Sequence, residues 1–209
     1  DRKTFRNNNF LILGGAGTGK SRFVIKPNLL QENCSYVVTD PSGEIIVSCG
    51  KVLSDHGYKI KIFNLSNMGH SNTYNPFNYI RDEAGVLMVI DCLIKNTTGK
   101  NEKGDQFFTN SEKLLYSACI FYLIDFETDE SRKNFSSVMD MINMSQVDEN
   151  NPSSKSELDL MFEQIDQTSL AAKYYKAFKQ AAGKTLKSII ISCVVRLQSF
   201  MTPQVTRLT

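Results

Sequence analysis

Apolar positions over residues 9–63 alternate between short runs and helical stripes. The runs "NFLIL" and "SYVVT" are typical of strands buried in a parallel sheet, and "YKIKIF" alternates like a strand near a sheet edge. A first helix begins in a glycine loop and reaches Pro27, which should kink or end it. A second helix is predicted from about Gly43 to His56, with Gly57 as its stop. The β-α-β-α-β order predicts right-handed crossovers in an α/β layer.

After "SNTYNPFNYI" the apolar spacing becomes helical. Six segments have this spacing: "AGVLMVIDCLI", "SEKLLYSACIFYLI", "FSSVMDMINM", "SELDLMFEQI", "SLAAKYYKAFKQAA" and "TLKSIIISCVVRL". Polar connectors rich in Gly, Pro and Asn separate several of them. The pattern therefore predicts an α/β class with a partial parallel sheet over residues 1–80, followed by an all-α domain over residues 81–209.

Composition indicates the class of protein and the compartment that suits it. With 209 residues and 41% hydrophobic content it is long enough to build a core. The chain opens with Asp1 rather than methionine, and we expect it to be a piece of a longer protein. No apolar run approaches the roughly 20 residues that cross a bilayer, so a soluble piece is expected. Five scattered cysteines without a C-x-x-C pair argue against disulfides and zinc, and favour a reducing cytoplasm.

Charge is distributed unevenly over the second half. Residues 125–166 hold eleven acidic and three basic side chains, a net charge of −8, whereas residues 167–209 hold seven basic side chains and no acidic one, a net charge of +7. The candidates for contacting DNA phosphates are Lys173, Lys176, Lys179, Lys184 and Lys187. The alternative, which we favour, is that these lysines form a solvated face or pair with the acidic segment, since the two segments nearly cancel in charge.

Aromatic side chains interleave with these lysines. Tyr174, Tyr175 and Phe178 are spaced as in proteins that stack on single-stranded bases. The same spacing is typical of a helix face packed in a core, which is the interpretation we favour.

Between the first apolar run and the first helix lies a glycine loop. Gly14, Gly19, Lys20 and Ser21 fill the pattern G-x-x-x-x-G-K-[ST], after a predicted strand and before a predicted helix. Glycines let backbone amides point at phosphate oxygens, with the positive end of the helix adding to the attraction. Lys20 is expected to reach the β- and γ-phosphates of ATP, and Ser21 to hold Mg²⁺. The candidate nucleotide site is Gly14, Gly15, Ala16, Gly17, Thr18, Gly19, Lys20 and Ser21.

Hydrolysis would also need an acid at the tip of a neighbouring strand and a carboxylate that orients water. Asp40, at the end of "YVVTD", is the one weak catalytic candidate. With Pro41 it also fits a helix N-cap, the role that we favour. No apolar run is followed by an Asp-Glu pair, so we expect the catalytic half of the site to be missing.

Several stretches together resemble the type IV coupling proteins, the conjugative DNA-transfer ATPases of type IV secretion systems, in their Gram-positive form. These stretches are "NNNFLILGGAGTGKSRFVIKPNLLQ", "SYVVTDPSGEII", "GYKIKIFNL", "YNPFNYI", "CLIKNT" and "KTLKSIIISCVVRL". The resemblance covers nearly the whole chain. One departure is Ser42, which stands where similar proteins have a lysine in T-D-P-K-G-E.

The resemblance implies a P-loop, RecA-like domain interrupted by an all-helical domain. It also implies a homo-hexamer with an N-terminal membrane anchor, on the cytoplasmic side of the cell membrane, while the piece itself is expected as a monomer. ATP and Mg²⁺ are the implied cofactors. The implied partners are single-stranded DNA, the relaxase, accessory relaxosome proteins and the channel ATPases. The family's magnesium aspartate and catalytic glutamate are expected beyond Thr209.

Three functions remain open at this point. The first is part of an ATP-driven DNA translocase that recruits the relaxase-DNA substrate but lacks its hydrolytic acids. The second is a helical cargo-binding module that works without nucleotide turnover. The third is a P-loop kinase that acts on small molecules. It is disfavoured because such a kinase needs a lid with arginines over its substrate, and basic side chains are sparse between residues 104 and 172.

Overall fold

The computed structural model describes residues 9–99, 105–145, 155–182 and 185–207. The chain folds as two compact units, Asp1–Ile62 and Phe63–Thr209. The functional boundary expected between residues 80 and 81 stays a prediction.

The first unit holds a short helical segment and one longer helix. A π-helical turn over Ser21–Ile25 continues into α1 (Lys26–Leu29), and α2 spans Glu44–Asp55. Pro27 lies at the start of α1, and the helix ends two residues later. The amide of Lys26 donates to the carbonyl of Ser21, five residues back, so the wider turn carries the backbone into the proline.

The predicted partial P-loop, RecA-like parallel sheet is wrong for the described residues, which contain no strand. The segments expected as strands form no regular secondary structure, and several of their apolar side chains are exposed: Phe10 is 85% exposed and Val37 is fully exposed. A strand needs a neighbour that accepts and donates ladder hydrogen bonds and covers one face. No hydrogen-bond ladder is present for these segments within the described residues, so their apolar character alone does not produce a sheet.

Helix α2 agrees with the prediction. It covers Glu44–Asp55 against an expected range of about Gly43 to His56, and Gly57 follows with φ 91°. Ile45 and Cys49 are buried, whereas Val52 is exposed. This helix and Leu29 of α1 supply the buried apolar side chains of the first unit among its described residues.

The second unit is helical, and all six predicted helices are present. They are α3 (Glu83–Thr97), α4 (Gln106–Asp125), α5 (Phe135–Asn143), α6 (Glu157–Glu163), α7 (Leu170–Ala182) and α8 (Leu186–Leu197). A short helix, α9 (Pro203–Thr206), packs against a 3₁₀ turn at Met68–His70. Further 3₁₀ turns cover Pro76–Tyr79, Glu130–Arg132 and Gln198–Phe200.

Helix α4 is the centre of this unit. It packs most extensively against α7 and also contacts α3, α5 and α8. Its buried residues surround the helix instead of forming one stripe, which is typical of a helix enclosed on most sides. Tyr116 is fully buried, and its hydroxyl donates to the carbonyl of Cys193 on α8 at 2.9 Å.

A charged pair is enclosed in the second unit. Glu112 of α4, 1% exposed, accepts a hydrogen bond from Arg196 Nε at 2.9 Å and another from Ser192. Arg196 also donates to the hydroxyls of Thr97 and Thr98, each at 3.0 Å. The network joins α8 to α4 and to the end of α3, and it gives the buried carboxylate the partners it requires.

No helix among the described residues is long and apolar enough to cross a membrane.

Candidate functional site

The glycine loop contains backbone conformations that glycine adopts more easily than other residues. Gly17 has φ 77° and Gly19 has φ 80°, both in the left-handed region that glycine enters without strain. Between them, the Thr18 hydroxyl donates to the carbonyl of Gly15 at 2.9 Å. These two glycines therefore set the curl of the loop; Gly19 is a fixed position of the sequence pattern, whereas Gly17 is one of its variable positions.

Lys20 closes the loop on itself. Its ammonium donates to the carbonyl oxygens of Gly14 and Gly15, each at 2.6 Å. The cation is thus held by carbonyl groups of the loop itself. Because these two carbonyls turn toward the ammonium, an entering phosphate would have to draw Lys20 away from them.

Ser21 follows at the first residue of the π-helical turn. Its position directly after Lys20 keeps a hydroxyl beside the loop, where the pattern places a Mg²⁺ ligand. Ala16 completes the run of small residues, and the loop residues Gly14–Thr18 are exposed. The residues fit a phosphate and its cation in kind: a lysine, a hydroxyl and flexible glycines.

Asp40 is committed to helix α2. Its Oδ2 accepts from the amides of Ile45 at 2.9 Å and Ile46 at 3.0 Å, the second and third residues of the helix. Gly43, with φ 72°, turns the chain into the helix. The capping interpretation is thus confirmed only in part: the Asp40 side chain accepts from helix amides, but the N-cap residue is Gly43 and Pro41 lies before the first turn.

The basic residues of α7 and α8 do not behave alike. Lys179 pairs with Asp159 at 3.0 Å, so the pairing alternative holds for this residue. Lys173 and Lys176 are exposed on α7 and Lys187 is exposed on α8, while Lys184 lies outside the described residues. A role of these lysines in binding DNA stays a prediction.

The aromatic side chains beside these lysines belong to the core. Tyr175 stacks on Phe162 with ring centroids 4.1 Å apart, and Phe178 is buried. Tyr174 stacks on Phe121 at 5.4 Å, and its hydroxyl donates to Glu83, an interaction that raises its pKa to about 12. The packing interpretation is confirmed, and these rings are not available to stack on bases.

A different aromatic group was missed by sequence reasoning. Phe63, Tyr74 and Tyr79 lie next to one another at the surface of the second unit, with 53%, 50% and 67% of their area exposed. They come from a stretch of turns without periodic spacing, so the pattern of apolar positions gave no signal. The available signal was the absence of any Asp or Glu from His56 to Arg81.

A family model described as type IV secretory system conjugative DNA transfer matches residues 2–209. The chain belongs to this family. The resemblance drawn from the motifs is thereby confirmed, and the chain takes part in conjugative DNA transfer. No curated protein matches it.

Proposed function

We propose that this member of the conjugative DNA-transfer family binds the phosphates of ATP through residues 14–21 and is part of an ATP-driven DNA translocase. The observation that carries the proposal is the loop itself: two left-handed glycines, then Lys20 and Ser21 where a helical turn begins. Bound ATP would supply the free energy of phosphoryl transfer for moving DNA. Because the described residues contain no sheet, the support for this proposal comes from the loop and not from the fold.

The chain's own residues have separate tasks in this proposal. Gly17 and Gly19 shape the curl, Lys20 leaves the carbonyls of Gly14 and Gly15 to meet the β- and γ-phosphates, and Ser21 holds Mg²⁺. Asp40 takes no part in hydrolysis, because its carboxylate already caps α2. We therefore expect nucleotide binding with little or no turnover by this chain.

The direct test is binding of a fluorescent ATP analogue, with and without Mg²⁺, to the unchanged chain and to Lys20→Ala. Loss of a charge-assisted contact should weaken binding about tenfold or more. Lys51→Ala is the matched control, since it removes an exposed lysine of α2 outside the loop. Equal affinity of the Lys20→Ala and Lys51→Ala proteins would reject the assignment, and rapid hydrolysis by this chain would reject the missing-acid hypothesis.

The second candidate is recruitment of the relaxase by the helical unit, working without nucleotide turnover. It is favoured by the unit's own buried core around α4 and by its exposed lysines on α7. Calorimetry with purified relaxase should give the same affinity for the unchanged chain and for Lys20→Ala. A large loss in that variant would show that recruitment depends on the nucleotide loop.

The wider assembly follows the same proposal. The chain would act as part of a homo-hexamer on the cytoplasmic side of the membrane, with accessory relaxosome proteins and channel ATPases as further partners. Family membership supports DNA transfer over the small-molecule kinase hypothesis.

A further inference from the structure

The exposed rings of Phe63, Tyr74 and Tyr79 form a continuous surface, here called the aromatic cluster. Tyr74 and Tyr79 are stacked, with centroids 5.3 Å apart and planes inclined by 22°. Phe63 meets Tyr74 edge-on at 6.5 Å and 74°. Large aromatic side chains with half or more of their area in water are costly unless something covers them, so the cluster requires an explanation.

The cluster is held in place by its neighbours. Asn75, between the two tyrosines, caps the 3₁₀ turn by accepting from the Phe77 amide at 3.0 Å. The same side chain donates to the carbonyl of Lys133 at 2.7 Å. Phe77 itself is buried edge-on against Phe135. Tyr74 directly precedes the capping residue Asn75, and Tyr79 is the last residue of this anchored turn.

The backbone next to Phe63 is held by hydrogen bonds of Asn64. The amide of Asn64, the next residue, donates to the Ser71 hydroxyl at 2.9 Å. The Asn64 side chain accepts from the amides of Ser66 and Asn67 at 3.0 and 2.9 Å. The rings thus stand on ordered backbone, which lowers the entropy that a ligand must overcome to bind them.

The charges around the cluster suit an anionic ligand. No Asp or Glu occurs from Phe63 to Arg81, and Arg81 is exposed. The next carboxylates along the chain already have partners: Asp82 caps α3 through the Gly85 amide, and Glu83 accepts from Tyr174. Arg207 follows α9, which packs on the Met68–His70 turn of the same segment.

A third carboxylate, Glu130, lines a cavity of about 290 Å³ with Asn78 of the turn and Lys133. Its charge is offset, because it pairs with the Lys133 ammonium at 2.5 Å. Each of these three carboxylates therefore has a partner within the protein, and Glu130 has a cationic one.

We propose that the aromatic cluster binds single-stranded DNA by stacking bases on Tyr74, Tyr79 and Phe63, with Arg81 close to the phosphates. Open aromatic faces beside a cation are the features that bind single strands without sequence preference. The site uses other residues than Lys173–Lys187, whose neighbouring rings pack in the core. It rests on the family's role in DNA transfer and is independent of ATP binding at residues 14–21.

The test is fluorescence anisotropy of a labelled oligothymidine with the 209-residue chain at low salt, without nucleotide. The double variant Tyr74→Ala/Tyr79→Ala should bind about 10- to 100-fold more weakly. The double variant Tyr74→Phe/Tyr79→Phe keeps both rings and should bind like the unchanged chain. Phe107→Ala is the matched control, since it removes another exposed ring from the same unit.

Two further measurements separate stacking from simple charge attraction. Arg81→Ala should lower the dependence of log affinity on log salt by about one unit or slightly less. Duplex DNA of the same length should bind more weakly than the single strand, because its base faces are covered. Photo-crosslinking of a bromouracil oligonucleotide to the unchanged chain should label the peptide that carries Tyr74 and Tyr79.

Several outcomes would overturn the proposal. They are no binding of the oligothymidine at low salt, equal affinity of the alanine double variant and Phe107→Ala, or crosslinks confined to other peptides. Loss of a protein partner by the alanine double variant, with DNA affinity unchanged, would identify the cluster as a protein surface instead. Lys20→Ala should leave oligothymidine binding intact, so failure of the ATP proposal would be seen separately.

Discussion

Asp40 shows how hydrogen bonds decide between two roles of one residue. Sequence places it after an apolar run and before a proline, which suits either a magnesium ligand or a helix cap. Its Oδ2 accepts from the amides of Ile45 and Ile46, two donors that no residue of the same helix can satisfy. A carboxylate with two such partners is already used, and moving it to a metal would expose both amides.

We predict that two substitutions of Asp40 differ in their effect on the free energy of unfolding. Asp40→Asn keeps an oxygen acceptor, so the free energy of unfolding should change little, whereas Asp40→Ala should lower it by about 0.5–2 kcal/mol. Urea denaturation followed by circular dichroism measures the difference. An asparagine variant as unstable as the alanine variant would show that the negative charge, and not the cap, is what matters.

Glu112 and Arg196 join three helices through one buried pair. Removing only the arginine leaves the carboxylate of Glu112 charged and without its main donor. We predict that Arg196→Met lowers the free energy of unfolding by about 3–5 kcal/mol. In the double variant Glu112→Met/Arg196→Met the loss should be smaller, because no buried charge remains and the hydroxyls of Thr97 and Thr98 still donate to backbone carbonyls.

Thermal or urea unfolding of both single variants and the double variant gives the coupling between the two side chains. Leu197→Ala is a useful reference, since it removes a buried apolar side chain from the same helix without touching the pair. A double variant that loses as much stability as the two single variants together would show that the pair is not coupled.

Asp159 links α6 to α7. Burial opposes its ionisation, but hydrogen bonds from Ser156, Lys179 and Tyr175 outweigh that effect, and the pKa of Asp159 is lowered. A lowered pKa in the folded state contributes stability that is fully present above the unfolded pKa, near 4. That contribution is lost as the pH falls through the lower, folded value.

We therefore predict that part of the acid sensitivity of the chain comes from this residue. Asp159→Asn should lower the free energy of unfolding at neutral pH by about 1–3 kcal/mol, and the difference from the unchanged chain should shrink below about pH 4. Urea midpoints measured across that range test the point. A constant difference at every pH would mean that Asp159 acts through packing alone.

The helices of the second unit could be predicted from sequence because the apolar spacing that indicates a helix lies within each segment itself. Apolar spacing gave all six, and α6 also starts with a capping box between Ser156 and Asp159. The prediction of strands was wrong for the opposite reason. The composition of "SYVVT" suits a sheet, but a hydrogen-bond ladder also requires a partner strand elsewhere in the chain. Within the described residues Val37 and its neighbours have none.

The candidate sites divide in the same way. The sequence pattern fixes glycine at positions 14 and 19, so the left-handed backbone of Gly19 was predictable, whereas that of Gly17, at a variable position of the pattern, was not. The contacts of Lys20 with two loop carbonyls, and the pairing of Lys179 with Asp159, depend on three-dimensional distances. The aromatic cluster depends on a turn that brings Tyr74 and Tyr79 together, which no regular period records.

At the scale of the whole molecule, the two units differ in how much apolar surface they bury. The first unit has Leu29, Ile45 and Cys49 as its buried apolar residues among those described, whereas the second has a continuous core around α4. Because burial is the main favourable term in folding, local opening should cost much less free energy in the first unit.

We predict that backbone amides of α2 exchange with deuterium faster than those of α4, by a factor of about ten or more, in the chain without ligand. Hydrogen exchange followed by mass spectrometry measures both in one sample. Amides of α7, which packs along α4, should be protected like α4 and provide the internal reference. If an ATP analogue binds residues 14–21, protection should rise around the loop while α4 and α7 stay unchanged. Equal protection of α2 and α4 without ligand would contradict the prediction, because it would require burial in the first unit well beyond these three side chains.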